Sequence, residues 1–145
     1  MKDFYEGAEL ERMLFHDCSI WGFSFGGRRD VDFPHADLIF DIDYIFEWEK
    51  CGDSFRFAVS PCTLVFKNAW NLKANFDTRG FALDALQILR IKKEKSDFGY
   101  FKYEILLSNC GEGASISFEA QEARMAVRKP PIFSATQTLC ADLRK

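Results

Sequence analysis

The chain has 145 residues, 19 basic against 22 acidic side chains for a net charge of −3, and an aromatic load of sixteen Phe, four Tyr and three Trp. Surface scaling at this length gives a folded surface near ~7,600 Å² against ~24,000 Å² unfolded, so about 69% is removed from water: one β domain spanning residues 1–145 around one core. A 48% hydrophobic and 28% charged composition excludes intrinsic disorder, no run approaches the ~20 apolar residues of a transmembrane helix, and a negative net charge argues against a nucleic-acid binder, whose affinity rests on a basic surface.

In chain order, Ala8–Leu14 collects good helix formers without a cap and predicts a short helical turn. Cys18–Phe25 alternates, with Trp21, Phe23 and Phe25 on one face, and predicts a strand. Gly26–Asp30 and Pro34 then break the chain. The clearest element is 37–49, where Leu38, Phe40, Ile42, Tyr44, Phe46 and Trp48 alternate against Asp37, Asp41, Asp43, Glu47 and Glu49. Six large apolar residues in period two predict a half-buried strand. Cys51–Ser54 reads as a hairpin turn into Phe55–Val59. Pro61, with no N–H for a ladder, is expected to end that strand or move it to an edge.

Thr63–Phe66 and Leu72–Phe76 read as two short strands around an Asn68/Asn71 turn, and 81–95 as a turn followed by a strand. Tyr100–Leu107, Ala114–Ala120 and Met125–Arg128 follow as strands, separated by turns at Ser96–Gly99 and Asn109–Gly113. The tail 132–145 has no period and reads as coil or one short helix. About seven or eight short antiparallel strands with little helix make an all-β sandwich or barrel the expected architecture.

The segments Phe15-His-Asp17, Asp41-Ile-Asp-Tyr-Ile-Phe-Glu-Trp48, Val59–Asn68 with Leu72, and Pro131–Leu139 resemble a family of small bacterial cytosolic proteins of unknown function, over about residues 14 to 140. Cys62 and Ala69 depart from the family's pattern. Related small domains include candidate immunity proteins, which neutralise a polymorphic toxin by binding it. The resemblance implies no catalytic residues and no cofactor.

The acidic side of the 37–49 strand is the sharpest candidate site. Asp41 and Asp43 would lie roughly 6.6 Å apart, with Glu47 and Glu49 farther along. Such a face could attract a basic protein partner such as a toxin, hold a hard cation, or serve as an acid/base pair. It could equally be a solvated face with cross-strand partners among Arg56, Lys67, Lys73, Arg90 and Lys92. Charge by halves bears on this choice: residues 1–72 carry seven basic and thirteen acidic side chains (−6), residues 73–145 twelve and nine (+3).

His16 and Asp17 form a second, polar candidate. As neighbours on a strand they would point to opposite faces and form no dyad, so a turn-side or strand-entry role, with Asp17 accepting backbone N–H bonds, is the favoured reading, and His35 could approach only through tertiary detail. The five cysteines, odd in number with no Cys-x-x-Cys pair and no paired His, predict reduced thiols, no metal and a cytoplasmic location. Asp17 beside Cys18 disfavours a reactive thiolate. Trp21, Trp48 and Trp70 could instead line the cavity of a small barrel that carries an apolar ligand. The reading is therefore a non-enzymatic protein-binding module using Asp41, Asp43, Glu47 and Glu49, with the apolar-ligand barrel as the alternative and an enzyme third. An exposed edge strand offers a route to a homodimer.

Overall fold

The computed structural model describes residues 2–26, 36–79 and 85–145, and most of them are strand. The elements are β1 (Phe4–Glu6), α1 (Gly7–Glu11), β2 (Ser19–Gly26), β3 (Asp37–Cys51), β4 (Ser54–Lys67), β5 (Trp70–Asn75), β6 (Leu86–Lys95), β7 (Phe101–Leu107), β8 (Ser115–Ala120), β9 (Glu122–Val127), β10 (Ile132–Ser134) and α2 (Ala141–Arg144). Among the described residues, the ten strands form one antiparallel sheet in the order β1-β9-β4-β3-β2-β6-β7-β8-β5, with β10 beside β4. The end strands β1 and β5 do not pair with each other, so the sheet is not closed into a barrel. The expected breaks at 27–34 and the turn at 81–84 fall outside the described residues.

The sheet folds over at its thinnest joint. β2 and β6 share only the pairs Ser19↔Gln87 and Ile20↔Leu86, continued by backbone bonds between Asp17, Cys18 and Ile88. The two halves meet through aromatic side chains: Phe66 of β4 lies 4.8 Å from Tyr103 of β7 and 4.6 Å from Phe118 of β8. Phe40 of β3 is 5.7 Å from Phe66, nearly perpendicular to it. Each of these buried Phe rings contributes roughly 1.5–3 kcal/mol relative to exposure, and the edge-to-face geometry suits the ring quadrupoles.

Three features depart from the expected pattern. First, β4 runs unbroken through Pro61. The Pro61 carbonyl accepts a bond from Arg128 N (3.0 Å), so its missing N–H faces the same side. On that side β9 ends with Val127 opposite Cys62 and β10 begins with Ile132 opposite Val59, and the proline occupies the gap between two neighbours. Second, β1 and β10 are three-residue strands too short to leave a period in the sequence. Third, β3 carries a bulge: Ile45 pairs with Val59 but Glu47 pairs with Ala58, leaving Phe46 as the extra residue. Asn68 adopts left-handed φ in the turn between β4 and β5 as expected, whereas Asn71, also left-handed, lies within β5 at the register shift between Trp70 and Lys73. No helix of the described residues is long and apolar enough to cross a membrane.

Candidate functional site

The bulge at Phe46 divides the four acidic candidates. Asp41 and Asp43 face β4 residues Thr63 and Pro61, whereas Glu47 and Glu49 pair with Ala58 and Arg56. Because β4 alternates without interruption, the two pairs of carboxylates lie on opposite faces of the hairpin, and the single acidic face expected from strict alternation does not form.

Asp41 and Asp43 lie beneath the chain's own tail. Asp43 is fully buried; its Oδ2 accepts hydrogen bonds from Trp21 Nε1 (2.9 Å) and Leu139 N (2.8 Å). The Arg144 guanidinium ion-pairs with both Asp41 and Asp43, and Arg128 adds a second cation to Asp41. Arg144 is itself only 9% exposed at its side chain and sits 5.0 Å over the Trp21 ring. Both cations come from the basic half of the chain, and neither was among the anticipated cross-strand partners. Two guanidiniums neutralise two carboxylates, so this part of β3 offers no free negative charge.

Beyond the bulge β3 and β4 continue as a projecting arm. Trp48 is 47% exposed and Phe55 50% on one face of it, packed around Phe57 at 4.9 and 6.5 Å. On the other, Glu49 pairs with Arg56 (2.8 Å), whose guanidinium lies 4.5 Å over the ring of Phe133, 51% exposed, contributed by β10. Glu47 is exposed and makes no ion pair among the described residues. Trp48, Trp21 and Trp70 lie apart: Trp21 at the tail, Trp70 on the edge strand β5 beside Tyr100, and Trp48 on the arm. They do not line a common cavity.

His16 and Asp17 do meet, contrary to the strand-based expectation. Asp17 has φ 64°, a left-handed turn rather than strand, and its carboxylate approaches His16 Nε2 at 3.4 Å. His16 Nδ1 lies 3.2 Å from Leu89 O, and Asp17 Oδ2 accepts a bond from Gln137 Nε2 (3.2 Å). Both ring nitrogens thus face protein oxygens on an exposed turn, with none directed at a cleft. His35 lies outside the described residues.

A groove of about 820 Å³, half open to solvent, runs between the α1 segment and β6–β7, floored by β4 and β9. Leu10, Met13, Phe15, Phe66, Phe101 and Tyr103 supply its apolar surface. Residues from six elements and the turn after α1 build it, so no local motif announces it. All five cysteines are free. Burial pushes the Cys18 and Cys62 thiols up to about 12, with the Asp17 carboxylate adding to the effect on Cys18. Among the described residues no group of three His, Cys, Asp or Glu is placed to hold a metal ion. Compared with protein-family models, curated proteins and solved structures, the chain matches none of them significantly.

Proposed function

We propose that this is a non-enzymatic protein-binding module whose contact surface is the β3–β4 arm. The observation that carries this reading is the exposure of Trp48 and Phe55 side by side on one face of the projecting hairpin, with the exposed Phe133 of β10 beside its opposite face. Large aromatic side chains and Arg dominate the binding energy of protein interfaces, because they bury much area with few rotatable bonds. Glu47 at the same arm, exposed and without an ion pair among the described residues, would favour a partner with a basic group beside an apolar pocket, whereas Glu49 is paired with Arg56. Asp41 and Asp43 take no part, being neutralised within the fold.

The resemblance to small bacterial domains makes a cytoplasmic toxin the candidate partner class, and five free thiols accord with a reducing compartment. The test is co-expression with the product of the adjacent reading frame, measuring growth and complex formation. Trp48→Ala with Phe55→Ala is expected to weaken capture by about 30-fold or more, equivalent to ~2 kcal/mol, with the circular dichroism of the free protein unchanged. Glu47→Gln is expected to slow association mainly at low salt. Undiminished capture by the double variant would refute the assignment. Retention of capture only by a self-associated form, detected by sedimentation, would replace the foreign partner with a second copy of this chain.

A further inference from the structure

We propose that the groove between α1 and β6–β7 is a second binding site, distinct from the arm, for a small organic cation: an apolar body carrying an ammonium head. The walls are apolar and aromatic, and about 820 Å³ lies within the range of small-molecule sites.

Two independent observations define the head group. The first is Tyr103, which lines the groove at 3% exposure with a hydroxyl that has no hydrogen-bond partner among the described residues. A buried phenol without a partner is costly, and a polar ligand atom that reached it would offset that cost. Burial, reinforced by the nearby Glu11 and Glu122 carboxylates, pushes this phenol up to about 12. It therefore stays neutral, and its oxygen can accept a proton donor. The second is the charge of the rim. Glu6, Glu11 and Glu122 stand against one ammonium, Lys93, which Glu11 already pairs. Glu6 and Glu122 stand opposite Arg124 and Lys67 in the strand register but make no ion pair with them, so at the groove itself three carboxylates face the one ammonium of Lys93 and an entering ammonium is favoured over an entering carboxylate.

Lys93 itself shows what this rim accommodates. Its Nζ lies 4.0 Å over the Phe101 ring and 6.0 Å from that of Tyr103 while it pairs with Glu11. An ammonium held between an aromatic face and a carboxylate is the arrangement by which proteins recognise organic cations. A ligand ammonium would use the same chemistry at Tyr103 and Glu122, with its apolar body along Leu10, Met13 and Phe15.

The experiment uses three probes with one body and different heads: octylammonium, octanol and octanoate. Each is titrated into the full chain at neutral pH and low salt by NMR and calorimetry. Octylammonium is expected to bind at least about tenfold tighter than octanoate, with amide shifts at Leu10, Met13, Phe101 and Ala123. Glu6→Gln with Glu122→Gln is expected to reduce its advantage over octanol to less than about threefold, and Met13→Trp to block all three probes. Tyr103→Phe is expected to weaken octylammonium by about three- to tenfold; should that variant fail to fold, the surface Glu variants carry the test alone. Octanoate binding as tightly as octylammonium, shifts confined to other surfaces, or no octylammonium binding up to about 5 mM would each overturn the proposal.

Discussion

Removing the Arg144 side chain tests how the tail is fastened. In Arg144→Ala the buried Asp43 loses its counterion, Asp41 loses one of two, and Trp21 loses the guanidinium over its ring. Breaking a buried ion pair from one side costs about 3–5 kcal/mol, because the remaining charge is left uncompensated. Asp43 keeps its bonds from Trp21 Nε1 and Leu139 N, which places the loss at the lower end, near 3 kcal/mol. For a chain of this length that corresponds to a fall of roughly 6–12 °C in Tm. Urea denaturation should show a lowered midpoint at unchanged slope. Adding Asp43→Asn removes the stranded charge, so the double variant should recover about 2 kcal/mol relative to the sum of the singles. A single variant within about 0.5 kcal/mol of the parent, the range of an ordinary surface substitution, would refute the claim that Arg144 locks the tail across β3.

Two further predictions concern other parts of the molecule. Because the Cys18 and Cys62 thiols are raised to about 12, they stay protonated near pH 8, and thiol reagents should label only the exposed Cys51 and Cys140 until the protein is unfolded. In the unfolded chain the same thiols ionise near 9, so stability should be unaffected below that pH. Between about pH 9 and 12 it should decline by about 1.4 kcal/mol per pH unit for each thiol. A flat stability profile across that interval, measured by urea denaturation, would contradict their burial. Gly111→Ala should cost about 1–3 kcal/mol, since Gly111 has φ +105° and an added Cβ would come within 3.2 Å of the Asp77 backbone oxygen; a melting temperature equal to the parent's would disprove this.

Local alternation was enough to locate most strands, because a face buried against a core must repeat every second residue. It identified β3 from Leu38 to Tyr44 and the β3–β4 hairpin correctly. It failed at Phe46, where a bulge shifts parity and no composition signal marks the extra residue. Pro61 was misread because its effect depends on which neighbour flanks β4 at that point, a fact held by β9 and β10. The acidic residues of β3 were visible in the sequence and so was the basic excess of residues 73–145. That Arg128 and Arg144 supply the compensation is tertiary information, since they lie far along the chain from Asp41. The groove was illegible for the same reason, being assembled from six elements. His16 and Asp17 meet because Asp17 leaves the strand conformation, which periodicity alone does not encode.

The fastening of Asp41 by Arg144 spans 103 positions of the chain. At a synthesis rate of about 5–20 residues per second, Asp41 waits roughly 5–20 s for that cation to be made. Throughout the wait, Asp41 and Asp43 stand as bare carboxylates beside a run of Phe, Ile and Tyr that would otherwise invite a foreign strand. Inward-pointing charge is a deterrent to edge-to-edge pairing. By that rule the two aspartates would keep the nascent hairpin solvated before they anchor the tail in the finished sheet.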